Sequence, residues 1–222
     1  MRNFTAKMLL KNLISKLPNK LKNLKIKGLA SNSNEVKKGY IFFALKGKKV
    51  NGEKYINSAI SRGAILIICS KKYKYTGINS KVLFFRTNKV DKHLHQITSK
   101  YYNKKPKTII AVTGTNGKTS VADFFFQILN LNKIPVASIG TLGIKYKNKK
   151  ISTSLTTPDI ISLHRNLELL KKKGIDKVIL EASSHGLHQG RLKNLNFKAG
   201  IFTNFSQDHL DYHKNMKNYL SS

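Results

Sequence analysis

The sequence predicts an α/β protein: a small N-terminal α/β domain followed by part of a parallel-sheet domain with a phosphate-binding loop. Residues 22–88 alternate short apolar runs with turns punctuated by Gly39, Gly47, Gly52 and Gly63. From Lys107 onward, apolar runs alternate with helical patterns, as in a parallel sheet covered on both faces. Between these patterns, IIAVTGTNGKTS at 109–120 passes from strand into a glycine-rich turn ending in Lys-Thr-Ser.

Length and composition bound the reading. The 222 residues suffice for one large or two modest domains, and 40% hydrophobic content supports a packed core. No apolar run approaches the roughly 20 residues that span a bilayer. The N-terminal MRNFTAKMLLKNLISKL is interrupted by Lys7, Lys11 and Lys16, unlike a secretion signal. Its Met8, Leu9, Leu13, Ile14 and Leu17 fit one face of a docking helix. The single Cys69, in AILIICS, excludes an internal disulfide and fits a buried thiol in a reducing compartment, so the cytoplasm is expected. The formal charge of +32 favours polyanions on electrostatic grounds. It is almost all lysine, scattered, with arginine only at Arg2, Arg62, Arg86, Arg165 and Arg191. Nucleic-acid readers favour arginine for bidentate contacts, so a solvated surface is the better reading and no nucleic acid or membrane partner is expected.

The elements follow in order. The first domain, 1–90, carries strands at about 40–45, 64–69 and 81–86, with EKYINSAISRG as its helical segment. DKHLHQITSKYYN is a linking helix that Lys104-Lys105-Pro106 ends, giving a linker over 91–106. The second domain, 107–222, places TIIAVTG, IPVASIGT, DKVILEAS and AGIFTNF as strands. TSVADFFFQILNL, with a strongly apolar face, and PDIISLHRNLELLKKKG, closed by Gly174, are its helices. Ligands of such sheets sit at the carboxyl ends of the strands, where every chemically rich motif of this half falls.

At the first strand end, Gly114 and Gly117 permit a tight turn whose backbone N–H groups point at phosphate oxygens, and the following helix adds its N-terminal dipole. The turn spans Gly114, Thr115, Asn116, Gly117, Lys118, Thr119 and Ser120. Lys118 would reach the β- and γ-phosphates of ATP and Thr119 would ligate Mg²⁺. The general G-x-x-x-x-G-K-[ST] pattern is only partly met, because Val112 stands where it has glycine. At a second strand end, Glu181 is an expensive charge unless paired or metal-bound, and Ser183, Ser184, His185, Gln189 and Arg191 offer donors for an anionic substrate. Behind another strand crowd Asn204, Asp208, His209, Asp211 and His213, which suits a hard-metal site with one imidazole better than a zinc site. Thr156 and Thr157 precede Pro158 and Asp159, which start the next helix.

Together TGTNGKTS, LTTPD, EASSHGLHQGRL and FTNFSQDHLDYH resemble the Mur ligases, and among them the MurE-type branch. TGTNGKT alone is shared with folylpolyglutamate and cyanophycin synthetases. SNSNEVKKGYIFFALKGKKVNGEKYI resembles that family's uridine-nucleotide domain, with Asn32-Ser33-Asn34 standing where Asp-Ser-Arg is usual. The resemblance implies an ATP-dependent, amide-bond-forming ligase of peptidoglycan precursor synthesis. It would add a diamino acid, meso-diaminopimelate by default, to UDP-MurNAc-L-Ala-D-Glu through an acyl phosphate. It implies Lys118, Glu181 and His209 as catalytic, Thr119, Glu181 and His209 as magnesium ligands, and Ser33, Thr156, Thr157, Ser183, Gln189 and Arg191 as substrate contacts. His185 and His213 are secondary candidates. Family members run to roughly twice this length in three domains, so a truncated form lacking the C-terminal domain is expected. A monomer is expected. A lysine-rich nucleic-acid-binding nucleotide hydrolase, or another Mur-type or folylpolyglutamate ligase, stands as the alternative.

Overall fold

The computed structural model describes residues 8–14, 19–47, 50–77 and 82–222. The chain divides into two compact units, Met1–Tyr101 and Tyr102–Ser222, each described by itself.

The first unit opens differently from the expected helix. Met8–Leu9 is a short strand, β1, antiparallel to β2 (Lys25–Ile26), with Met8 opposite Ile26. A 3-10 turn over Leu10–Asn12 follows, and α1 (Asn19–Lys22) leads into β2. The backbone of Leu10 donates to Leu24 at 2.9 Å, and Leu10, Leu13 and Ile14 are buried. Pairing with a later strand of the same chain thus satisfies backbone groups that a short isolated helix would leave marginal; Leu17 lies outside the described residues. Then come β3 (Gly28–Ala30), β4 (Tyr40–Phe43), α2 (Ile56–Ser61), β5 (Ala64–Cys69), β6 (Leu83–Arg86) and α3 (Val90–Tyr101). β3-β4-β5-β6 form a fully parallel sheet in sequence order. Its β4 and β5 are nearly continuous apolar runs because both are central and covered. Cys69 is fully buried at the end of β5, and burial pushes its thiol up to about 11, which makes it inert at neutral pH.

The second unit is built on a six-stranded sheet. Its elements are β7 (Thr108–Thr113), α4 (Lys118–Leu131), β8 (Val136–Gly140), β9 (Gly143–Tyr146), β10 (Lys149–Ile151), α5 (Ile160–Lys172), β11 (Lys177–Glu181), α6 (Ser184–His188), β12 (Ala199–Phe202), α7 (Leu210–His213) and α8 (Met216–Leu220). The order is β10-β9-β8-β11-β7-β12. The four strands expected from the apolar runs are mutually parallel, as the sequence predicts. The β9–β10 hairpin adds an antiparallel edge that the sequence reading does not contain. Its strands are short and lysine-rich: Lys149, Lys150 and Ile151 of β10 are exposed, and the alternation of β9, with Ile144 and Tyr146 buried about Lys145, is too brief to announce a strand.

One face of this sheet packs on α5 through Leu163, Leu167 and Leu170 against Ile139, Val178 and Leu180. On the other face, Ala122 of α4 meets Val112 and Ile179. The apolar residues of α4 are shared between both sides of the helix: Phe126 is buried, whereas Phe124, Ile128 and Leu131 are exposed. Its strongly apolar face is therefore narrower in the fold than in the sequence. Asp159, expected inside the first turn of α5, is instead its N-cap, and Oδ1 accepts from the Ile161 and Ser162 backbones at 3.0 Å. Gly174, with φ +78°, closes the helix in the left-handed conformation. Among the described residues no helix is long and apolar enough to cross a membrane.

Asp159→Ala removes both N-cap bonds and should cost about 0.5–2 kcal/mol in urea denaturation. A loss below that range would mean that α5 is held by its apolar face alone.

Candidate active site

The carboxyl ends of β7, β8 and β11 converge on one cavity of about 340 Å³. Gly114, Thr115, Asn116, Gly117, Lys118, Thr119 and Ser120 line it, together with Thr141, Thr156, Glu181, Ser183, Ser184, Asp208, His209 and Tyr219. All belong to the second unit.

The loop between β7 and α4 owes its shape to two glycines. Gly114 has φ +131°, and a Cβ there would overlap the Thr203 hydroxyl; Gly117 enters the helix at φ +82°. The turn is braced from the segment after β12. Asn204 Oδ1 accepts from the Asn116 N–H at 2.9 Å, and its Nδ2 donates to the Asn116 carbonyl at 3.2 Å. The Thr203 hydroxyl donates to the same carbonyl at 2.6 Å. Thr115 Oγ1 accepts from the Ser206 N–H at 3.0 Å and lies 3.1 Å from the Tyr219 hydroxyl. Lys118 Nζ donates to the carbonyls of Gly114 and Thr115 at 2.7 and 2.8 Å, so its ammonium sits over the turn.

Glu181, at the end of β11, is 2% exposed. Its Oε2 accepts from the Thr119 hydroxyl at 2.7 Å and the Thr141 hydroxyl at 3.1 Å, and its Oε1 accepts from the Thr141 N–H at 2.9 Å. No Lys, Arg or His among the described residues forms an ion pair with it. Gly140 makes room for it, since a Cβ there would overlap Oε1. Thr156 Oγ1 lies 3.0 Å from that of Thr141.

Beside it, Thr157 is 1% exposed and donates to the Glu181 carbonyl at 2.7 Å while accepting from the Ser183 N–H at 2.9 Å. Thr157 therefore holds the wall of the cavity and is not part of its lining. Arg191 Nη1 donates to the Thr157 carbonyl at 2.6 Å, and its Nε and Nη2 donate to Gln189 Oε1 at 3.1 and 2.6 Å. Gln189 Nε2 in turn reaches the Tyr212 hydroxyl at 3.2 Å. Gln189 and Arg191 stand outside the cavity lining. Ser33 belongs to the first unit, buried in a 3-10 turn after β3.

His209 takes a left-handed conformation (φ +53°) at the start of α7, with Nδ1 3.5 Å from Asp208 Oδ1. His185 stacks on Tyr212 at 4.0 Å between ring centroids, with His209 at 4.9 Å and His213 at 5.6 Å. Burial first, and the neighbouring His209 and His213 next, hold the His185 imidazole below its ordinary pKa. His213 is buried, with Nε2 3.0 Å from Ser184 Oγ. Asp211 is exposed and absent from the lining. Among the described residues no group of three His, Cys, Asp or Glu side chains is placed to hold a metal ion. The donor set that faces the cavity is instead two carboxylates, Glu181 and Asp208, with threonine hydroxyls and the His209 imidazole, a mainly oxygen set that suits Mg²⁺.

Sequence reading passes over Gly140, Thr141, Thr203 and Tyr219. The only available signal for the first pair is a Gly-Thr step at a strand end, in line with the other motifs.

A glycine turn capping a helix, beside an acidic strand end in a parallel sheet, defines a phosphate-binding α/β domain. Residues 112–222 match the Mur ligase middle domain and residues 25–103 match the catalytic domain of the Mur ligase family. The chain belongs to the Mur ligase family. It is 44% identical over 203 residues to a UDP-N-acetylmuramoyl-L-alanyl-D-glutamate–2,6-diaminopimelate ligase of Rickettsia prowazekii, covering 90% of this chain and 42% of that protein. It is 40% identical over 208 residues to the ligase of the same name from Brucella melitensis, covering 92% and 42% respectively. A solved structure of a ligase of that name superposes with a TM-score of 0.77 at 27% identity, over 97% of this chain and 44% of that one. MurF ligase from Thermotoga maritima, solved with ADP, gives 0.58 at 22% identity, over 87% and 41%, a likeness of fold alone. The chain thus spans about two fifths of the length of these relatives.

Gly140→Ala would force its methyl group into Glu181, and we expect a loss of about 1–3 kcal/mol, typical of overpacking, with the carboxylate displaced in a crystal structure of the variant. An unmoved Glu181 at wild-type stability would refute the close-approach argument.

Proposed function

We propose that the chain carries the nucleotide-binding and substrate-binding parts of an ATP-dependent ligase of peptidoglycan precursor synthesis. The reaction joins 2,6-diaminopimelate, the diamino acid in the names of its relatives, to UDP-MurNAc-L-Ala-D-Glu. The observation that carries the reading is the buried Glu181 carboxylate, bonded to the Thr119 hydroxyl at the head of the phosphate-loop helix in the same cavity as Lys118. This is where a nucleoside triphosphate and a hard cation would meet.

In this reading the N–H groups of Gly117, Lys118 and Thr119 at the head of α4 cradle the phosphates, while those of Thr115 and Asn116 stay bonded to Asn204, and Lys118 exchanges its two loop carbonyls for phosphate oxygens. Thr119, Glu181 and His209 would hold magnesium, which supplies neutralisation of charge on the β- and γ-phosphates when bound. Thr156 and Ser183 line the approach, Thr157 fixes that wall, and Gln189 and Arg191 form its outer rim for the muramoyl dipeptide. Ser33 would serve the uridine nucleotide in the first unit. A γ-carboxylate oxygen of the D-glutamyl group attacks the γ-phosphorus, and the bond to the β-phosphate oxygen breaks to release ADP. The amine then attacks the acyl phosphate carbon, expels phosphate and loses a proton, leaving an amide. Lys118 stabilises the transferring phosphoryl group electrostatically. As the parts of such a ligase we take 1–90 for uridine-nucleotide binding, 91–106 as a linker and 107–222 for ATP, acting in the cytoplasm.

Titration calorimetry of the 222-residue chain tests this, with Mg·ATP and UDP-MurNAc-L-Ala-D-Glu as separate titrants. Lys118→Ala should weaken nucleotide binding about 10- to 100-fold, the range of a charged hydrogen-bonding group, and leave binding of the UDP-dipeptide intact. Unchanged nucleotide affinity would remove the loop assignment, and DNA binding without UDP-dipeptide binding would favour the nucleic-acid alternative.

A further inference from the structure

The hydroxyls around Glu181 can be given directions, because an ionised carboxylate and a carbonyl only accept. Thr141 Oγ1 lies 3.1 Å from Glu181 Oε2 and 3.0 Å from Thr156 Oγ1. Its single proton goes to the carboxylate, so the proton between the two threonines belongs to Thr156. The second chain obeys the same count. Thr157 spends its proton on the Glu181 carbonyl at 2.7 Å, so Ser183, 3.0 Å from Thr157 Oγ1, donates to Thr157. Both chains run toward Glu181; Ser183 Oγ also accepts from the Gly186 N–H at 3.2 Å as the N-cap of α6, so of these two cavity-lining hydroxyls Thr156 keeps both lone pairs for a ligand and Ser183 one.

We infer that Thr141 is a positioning residue that polarises Thr156, so that this wall meets its ligand as hydrogen-bond acceptors, for an amide N–H or a hydroxyl group. The inference rests on the function proposed above and refines it. It separates the roles of the two sides of the cavity: donors at the phosphate loop for anionic oxygens, acceptors at Thr156 and Ser183 for the N–H and O–H groups of the muramoyl dipeptide. For Ser183 it differs from the expectation of a donor to an anionic substrate. Thr141 is exposed apart from these bonds, so its substitution leaves the core intact.

Thr141→Val and Thr141→Ser separate the hydroxyl from the side-chain shape. Three-bond carbon–carbon and nitrogen–carbon couplings report the χ1 rotamer of Thr156 in the labelled chain. A single rotamer is expected in the wild type and T141S, and averaging in T141V; unchanged couplings in T141V would overturn the inference. By calorimetry, T141V should bind UDP-MurNAc-L-Ala-D-Glu about tenfold more weakly and T141S within about twofold of wild type, the scale of one hydrogen bond. Equal losses in both variants, or none in T141V, would also overturn it. A wild-type chain that binds no UDP-dipeptide sinks the functional reading instead, and the Thr156 couplings then decide the role of Thr141 alone.

Discussion

A carboxylate taken out of water costs several kcal/mol unless something replaces its solvent, and Glu181 is 2% exposed in a chain whose acidic residues number only 10. Most of the second unit around the cavity can be understood as the replacement. Thr119 reaches it from the head of α4, Thr141 from the end of β8, and Gly140 stays bare to let it approach. These groups come from segments on either side of β11, which the sheet order places between β8 and β7. Hydroxyls and one amide solvate the charge without cancelling it. The negative charge therefore remains available to a cation.

The phosphate loop has a matching dependence on distant chain. Its Asn116 and Thr115 are held by Thr203, Asn204, Ser206 and Tyr219, roughly 90 residues later. β12 is the strand that delivers them, through its pairing with β7. A loop of small residues with two left-handed glycines has much conformational entropy to lose. Fixing it beforehand, through bonds from Thr203, Asn204 and Ser206, reduces what a phosphate would have to order on arrival.

The parts of this architecture that announce themselves in sequence are those whose signal is local. The runs TIIAVT and KVILE are apolar because central parallel strands are covered, AGIF reads as a strand although it lies largely exposed at the sheet edge, and TGTNGKTS needs its glycines for its own turn. Glu181 stands out because a charge ends an apolar strand. What stays hidden is whatever depends on a partner far along the chain. Thr141 is an ordinary threonine until Glu181, 40 residues on, is placed beside it. The β9–β10 hairpin has only Ile144 and Tyr146 on its apolar face, too brief a signal to betray it, and Met8–Leu9 reads as helix until Lys25–Ile26 supplies a strand to pair with. Thr157 looks equivalent to Thr156 in LTTPD, yet one is buried as a brace and the other lines the cavity.

The charge of the chain acts at a different scale from its site. The chain has 42 lysines and arginines, and among the described residues Lys118 is the one that lines the cavity. Several of the others are committed elsewhere: Lys145 to Asp123, Lys171 to Asp176, Lys172 to Glu168. A scattered lysine surface raises the local concentration of any anion, whether nucleotide or polymer, and is screened beyond a Debye length of about 8 Å at physiological salt. It cannot tell a nucleotide from a polyanion at contact. In the function proposed above, that distinction would fall to the N–H groups at the head of α4 and to the hydroxyls about Glu181, so that a chain of net charge +32 would recognise its ligand mainly through neutral donors and acceptors.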